Sequence, residues 1–333
     1  MKDLSFKLLL SVFIIAFISQ ACNYSKKNSS KTNEANSTEN RNLKVGYLPI
    51  SAALPLFVAI EKELFKEQGI NVEMVKYQNG ALMAEDVLSG RIIAACPGPA
   101  DIYLSKEVEQ PGRFKIYLQT AYTPSNFMYS ILVKKVSGIK TMKDLKGKKI
   151  GVFPGVTNKL LLEVLLKDMF GWEPDKDIIV QGVSAPLQLD ALETGEYDAI
   201  CPLEPTGTIG SFRKNIVMIE KGPIEKNVLN PLYITLHALS TKALKENPEL
   251  VNKFVLAMGK AVDLIREDEQ AMRAILPKYT SLTLEQSRLT PIGNCVKTNE
   301  ASRADFQKLI DLLVSKGVLS KKIDANTLYL EVN

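Results

Sequence analysis

Histidine is nearly missing from this chain: His237 is the only one among 333 residues. A lone imidazole inside the apolar run Leu232–Ser240 is poorly placed for general-base work, and it reads as a packed residue of that strand. No nucleophile and base fall near one another in the candidate loops, and no glycine-rich phosphate fingerprint occurs. These absences argue against an enzyme and leave no cofactor to expect. Cysteine is also sparse, at four (Cys22, Cys96, Cys201 and Cys295), with spacings that match no zinc pattern, so no metal site is expected. No basic block stands beside aromatics, which excludes a nucleic-acid surface despite the net charge of +5. The longest apolar run, Leu8 to Ile18 broken only by Ser11, would rise about 16 Å as a helix. That is short of the roughly 30 Å of a bilayer core, so it reads as a secretion signal and not a membrane span.

Ala21-Cys22 after that run resembles the bacterial lipobox, in which the cysteine is lipidated and becomes the new N-terminus. Ser19 departs from the pattern, which prefers Leu there. The expectation is a signal peptide over 1–21, a lipid anchor on Cys22, and a cell-envelope, extracytoplasmic location. Residues 22–42 hold only Tyr24 as a sizeable apolar side chain and are expected to be a disordered tether.

What is present is a repeat. Lys44-Val45-Gly46-Tyr47-Leu48-Pro49 returns as Lys149-Ile150-Gly151-Val152-Phe153-Pro154, a step of 105 (149 − 44). Ser89-Gly90-Arg91-Ile92-Ile93-Ala94-Ala95-Cys96-Pro97 returns as Thr194-Gly195-Glu196-Tyr197-Asp198-Ala199-Ile200-Cys201-Pro202 at the same step (201 − 96). Two echoes at one offset point to two similar lobes, since solenoid repeats run only about 20–50 residues.

Apolar patterning alternates strand and helix. Strands are expected near 43–48, 70–77, 92–95 and 114–121, and again near 149–153, 178–182 and 197–200. Helices are expected at Leu54–Glu67, Ala81–Leu88, Pro99–Glu107, Asn158–Met169 and Leu187–Glu193, and four more from Pro248 onward. This is an α/β chain with mostly parallel sheets. The long apolar strands Asn126–Lys135 and Leu232–Ser240 are expected to form a two-strand hinge that carries the chain across and back. The lobes are then 43–125 with 235–333, and 126–234. The C-terminal helices pack on the first lobe or bridge the hinge.

These features together resemble a type II solute-binding protein of an ABC importer. The resemblance is strongest to the subgroup for aliphatic sulfonates, taurine, nitrate and thiamine-precursor pyrimidines. The matching residues are Val45-Gly46-Tyr47, Asn79-Gly80, Gly147 to Val152 with Pro154-Gly155, Gly195 to Ala199, Glu204-Pro205, and Glu246 to Val251. Leu203, where many members have an aromatic, and the two Cys-Pro turns depart from it. The resemblance implies a monomer that binds a small solute and delivers it to a membrane permease. An enzyme of thiamine-pyrimidine biosynthesis on the same fold, or a surface adhesin or sensor, is the alternative.

In open αβ sheets ligands sit outside the carboxyl ends of the strands. That rule selects Tyr47, Ser51, Tyr77, Asn79, Gly80, Cys96, Pro97, Gly98 and Thr120 on one side. On the other it selects Gly155, Thr157, Asn158, Ser184, Cys201 and Glu204. Gly155, Thr157 and Asn158 open a helix whose free N–H groups suit an anion, although Thr and Asn also serve as plain caps. Tyr47 and Tyr77 could stack on a flat solute or donate a hydroxyl, or simply pack. Glu204 facing inward would repel a pure anion and favour a solute with a positive or donor group. Cys96 and Cys201 read first as buried free thiols, with ligand contact second.

Overall fold

The two echoes become the central strands of two sheets. In a computed structural model of the chain, residues 42–331 are described, so the expectations for 1–21, for Cys22 and for the tether lie outside them, except that Asn42 already begins the first strand. The strands are β1 (Asn42–Tyr47), β2 (Asn71–Lys76), β3 (Ala94–Pro99), β4 (Phe114–Tyr122), β5 (Ser130–Lys134), β6 (Lys149–Val152), β7 (Ile179–Gly182), β8 (Ala199–Cys201), β9 (Ile216–Lys221), β10 (Leu232–Ser240) and β11 (Asn294–Lys297). Sheet one runs β11-β4-β10-β3-β1-β2 and sheet two runs β7-β6-β8-β5-β9.

Read from β2 and from β7 inward, the first five strands follow the same order, with one inserted antiparallel strand in each, β10 in the first and β5 in the second; sheet one adds a sixth strand, β11, antiparallel to β4 at its edge. The copies agree in register as well. β1 pairs with β3 through Val45↔Ala94 and Gly46↔Ala95, and β6 pairs with β8 through Ile150↔Ala199 and Gly151↔Ile200. Every partner is displaced by 105. Gly90 and Gly195, equivalent at that step, end equivalent helices with φ of +77° and +85°, a region where a Cβ is disfavoured.

The chain crosses between the sheets at 123–129 and at 222–231. The expected strand over Asn126–Lys135 starts only at Ser130 and lies wholly in sheet two, and β10 lies wholly in sheet one. The expected helix over Leu54–Glu67 is interrupted at Glu63, which takes φ +55°, so it forms Leu54–Glu61 and Leu64–Glu67. The break carries Leu64 and Phe65 into the core, where the Phe65 ring stacks on Phe254 at 5.4 Å.

Phe254 belongs to the helix Pro248–Glu267, whose buried Val251, Phe254, Ala257, Met258, Ala261 and Val262 recur at helical spacing. They join the core beneath Leu54–Glu61, and Arg303–Ser315 packs against β10. The C-terminal helices therefore cover sheet one. The short helix Leu284–Leu289 also reaches the second copy, touching Thr206–Ser211. Both outcomes left open by the sequence are realised, by different segments.

Backbone closeness at the carboxyl end of β3 is testable. A Cβ on Gly98 would lie 2.4 Å from the Tyr103 ring, which is fully buried. Gly98→Ala is expected to destabilise the protein by about 1–3 kcal/mol in denaturant unfolding. An unchanged midpoint would mean that the ring moves freely.

Candidate functional site

Asp101 lies in the first turn of the helix Ala100–Glu109, at the carboxyl end of β3. Thr157 lies in the first turn of Val156–Phe170, at the carboxyl end of β6. The Thr157 hydroxyl donates to Asp101 Oδ2 at 2.7 Å. One hydrogen bond thus joins the two copies, and it places the carboxyl ends of β3 and β6 against each other. Thr157 is 1 % exposed, so this bond is shielded from solvent. Beside it the Tyr129 hydroxyl, from the first crossing, donates to Asn158 Oδ1 at 2.6 Å. Gly155 is the residue before the helix, with φ +136°, a conformation that suits glycine and lets the chain turn sharply into the first helical turn.

Glu204 follows β8 and is 1 % exposed. Its Oε2 accepts from the Thr208 N–H at 3.1 Å and the Thr208 hydroxyl at 2.7 Å. The Thr290 hydroxyl lies 3.1 Å from the same oxygen and 3.0 Å from Thr208 Oγ1, so it donates to one of them. Thr290 comes from the C-terminal segment, making this a second tie between the sides. Glu204 Oε1 and the Ser130 hydroxyl are buried without a protein partner. Both lie 2.5 Å from where a Cβ of Gly207 would stand, so the absent side chain leaves the niche they share. Burial pushes the Glu204 carboxyl up to about 7, opposed by the Thr208 and Thr290 hydrogen bonds.

Glu225 fastens the first crossing. Its Oε1 accepts from the N–H groups of Met128 at 2.7 Å and Tyr129 at 3.2 Å, while Oε2 has no partner. Burial raises this carboxyl to about 7 too, and the charge of Glu204 adds to the shift.

The remaining expected residues separate into groups. Asn79 caps its own helix, accepting from Ala81 N–H at 2.8 Å, with Gly80 as the first helical residue. The Tyr77 hydroxyl donates to Asp86 at 2.5 Å, and Tyr47 packs edge-on against Phe57. Ser184 is exposed at the start of Ala185–Thr194, whereas Ser51, Pro97 and Thr120 are buried. Cys96 lies 2.6 Å from the Tyr117 hydroxyl in the apolar cluster beneath Leu54–Glu61, and Cys201 is buried in the cluster that draws side chains from both sheets; both are free thiols. His237 is fully buried, stands 5.9 Å edge-on from Tyr117, and has no partner on either nitrogen. Ala52 and Thr120 also line a cavity of about 300 Å³ on the sheet-one side, whose wall includes Pro55, Val262 and Ile292 as well as Arg266, Glu269 and Asn294.

Asp101, Tyr129, Ser130, Glu225 and Thr290 escape a reading of the sequence. Asp101 looks like an ordinary acid in a first helical turn, favourable to the helix dipole. The others carry no local signal. Among the described residues no cluster of metal-ligating side chains occurs, and no helix is long and apolar enough to cross a membrane.

Comparison with known proteins gives consistent relatives. A putative binding protein of Brucella abortus is 22% identical over 285 residues, covering 82% of this chain and 85% of that one. A nitrate import ATP-binding protein of Synechocystis is 29% identical over 184 residues, 51% of this chain but only 27% of that larger protein. A 4-amino-5-hydroxymethyl-2-methylpyrimidine phosphate synthase of Saccharomyces cerevisiae is 25% identical over 245 residues, 70% of this chain and 68% of the enzyme. Among solved structures, the periplasmic aliphatic sulphonate-binding protein of Escherichia coli shares the fold at a TM-score of 0.68 and 20% identity, over 86% of this chain and 97% of that one. The periplasmic nitrate-binding protein of Synechocystis does so at 0.66 and 17%, over 86% and 84%. Residues 36–277 match the NMT1-like family, and the chain belongs to that family.

Proposed function

We propose that the protein is the extracytoplasmic solute-binding subunit of an ABC importer. It captures a small sulfonate, zwitterionic or heterocyclic solute between residues 43–125 with 235–333 on one side and 126–234 on the other, and hands it to a permease. The observation that carries this reading is the Thr157–Asp101 hydrogen bond between equivalent edges of two equivalent sheets. Two like halves whose strand ends meet make a gap that opens and shuts around a solute. The start of Val156–Phe170 offers N–H groups to an oxyanion, and the Glu204 and Ser130 oxygens offer acceptors to an ammonium or a ring N–H. A solute carrying both kinds of group fits best. Cys22 is the point of lipid attachment in this reading, which mass spectrometry of the N-terminal peptide tests directly.

A thermal-shift screen of taurine, alkanesulfonates, nitrate, aminopyrimidines and short amino acids tests the reading. A solute at about 100 times its Kd should stabilise the protein by about 2.7 kcal/mol. Nitrate or a plain alkanesulfonate binding at least as tightly as every amine-bearing solute would contradict the role given to Glu204. With the solute in hand, Asp101→Ala should weaken binding about five- to tenfold in calorimetry, because the shut form loses one hydrogen bond of about 1 kcal/mol. Unchanged affinity would remove this bond from the closing step.

The yeast relative motivates a second reading, catalysis on the same fold. The burial of His237, whose pKa is lowered by desolvation to about 3, leaves that reading without a histidine base. Recovery of a bound solute unchanged after prolonged incubation supports binding, and its conversion would favour catalysis.

A further inference from the structure

The stretch from Lys134 to Lys149 holds more positive charge than the whole molecule. It contains seven lysines and one acid, Asp144, a net charge of +6 (7 − 1). The chain carries +5, so everything else sums to −1 (5 − 6). The stretch joins the end of β5 to the start of β6. β5 runs antiparallel to β8 and β6 runs parallel to it. Both ends therefore fall at the amino pole of sheet two, away from the gap.

The lysines are held outward by a pinned backbone. Ile139, Met142 and Leu145 are buried at every third position, and each is followed by an exposed lysine, Lys140, Lys143 and Lys146. Asp144 is engaged by the backbone: its Oδ2 accepts from the N–H groups of Lys140 at 2.9 Å and Thr141 at 2.8 Å. Asp177 stands 3.5 Å from Lys146, and the Lys149 ammonium lies over the Tyr197 ring at 4.4 Å. Among the described residues, Lys134, Lys135, Lys140, Lys143 and Lys148 have no carboxylate within ion-pair distance. In their midst Val136, in the turn Lys135–Ser137, is 90% exposed, more than any other large apolar side chain described. Ordinary protein surfaces intersperse charges of both signs. Five unpaired ammonium groups around one bare valine depart from that. No aromatic residue lies in the stretch to stack on bases, which sets nucleic acid aside.

We infer that the stretch Lys134 to Lys149 is a contact surface for an anionic phospholipid bilayer, with Val136 entering the headgroup layer among the lysines. Near a negatively charged bilayer each lysine is worth about fivefold in affinity. A bare valine gains by leaving water at the same boundary. The reading of Cys22 as lipidated supplies the bilayer, and the connection from Cys22 to Arg41 spans at most about 70 Å. The lipid then holds the molecule through β1 of sheet one, and the lysines hold sheet two. The gap, at the opposite pole of sheet two, stays uncovered.

The test uses the chain from residue 22 with Cys22→Ser, so that neither lipid nor apolar leader contributes; both sheets lie within 42–331 and are kept. Cosedimentation is measured with vesicles of phosphatidylcholine alone and of phosphatidylcholine mixed with phosphatidylglycerol. Binding is expected only to the mixed vesicles and should weaken as salt rises. Lys135→Gln, Lys140→Gln and Lys143→Gln together should lower the affinity about hundredfold, at about fivefold for each lysine. Val136→Ser should lower it about threefold. Lys62→Gln, Lys245→Gln and Lys316→Gln remove three exposed lysines elsewhere and should leave it unaltered. No binding by the parent, equal binding to neutral vesicles, or an equal loss in both triple variants overturns the assignment. Thermal stabilisation by the solute should be the same in every variant; its loss in the first triple variant also overturns the assignment, by placing the stretch in solute capture. The importer reading fails separately, since a parent that binds mixed vesicles and no solute keeps this surface and loses that reading.

Discussion

Replacing Glu204 and Glu225 by Gln should abolish a loss of stability that the protein suffers as pH rises from about 4.5 to about 7. Both carboxyls are buried and both are raised from 4.5 to about 7, chiefly by desolvation. Across that interval the folded state holds protons that the unfolded state has released. Stability therefore falls with rising pH, is fully present below about 4.5, and reaches its lowest contribution above about 7. At about 1.4 kcal/mol per pH unit, each group acting alone would cost up to about 3 kcal/mol at pH 8, and the pair is coupled and not additive. Glutamine keeps the acceptor oxygen that holds Thr208 in one case and the Met128 and Tyr129 N–H groups in the other. Urea unfolding at pH 5 and pH 8 should show the double variant gaining over the parent at pH 8 and matching it at pH 5. A variant that is less stable than the parent at pH 8 would mean that the charged forms are the stabilising ones.

His237→Leu should stabilise the protein most at acidic pH, by the opposite linkage. The imidazole is lowered from 6.5 to about 3 by burial, so below pH 6.5 the unfolded chain takes up a proton that the folded chain refuses. Its contribution is constant above 6.5 and is lost as pH falls toward 3. At pH 5 the substitution should yield about 2 kcal/mol more than at pH 8. Removal of two unpartnered buried nitrogens adds a gain at every pH, larger than the worth of the edge-on packing between the imidazole and Tyr117. A gain that does not grow on acidification would show that the ring is hydrated or partnered in solution.

The framework was legible because duplication writes itself twice. Gly46 and Gly151, Gly90 and Gly195, and Ala94 and Ala199 sit in equivalent places with equal register, so an offset in the letters became an offset in space. The helix Thr206–Ser211 was not legible. Its sequence, TGTIGS, has two glycines and low helical preference, and close packing of Gly210 under Leu132 and Leu189 overrides that preference. β9 was also missed, because nothing in Ile216–Lys221 announces which sheet edge it joins.

Topology alone puts Thr157 and Asn158 just after β6, and both make hydrogen bonds outside their own helix, to Asp101 and Tyr129. Those partners were not legible. Asp101 lies 56 positions from Thr157, and Thr290 lies 86 from Glu204, and such pairs exist only after the two sides meet. The sequence could place Glu204 after a strand, yet its burial and its bond toward Thr290 come from the C-terminal segment folding back onto the second copy.

The central claim is that two like halves shut over a solute. Small-angle X-ray scattering of the protein with and without the solute identified by thermal shift tests this most directly. The solute-free protein should scatter as a more extended particle, and saturating solute should contract it to the dimensions of the closed structure. Tight binding of the solute with an unchanged radius of gyration would contradict it.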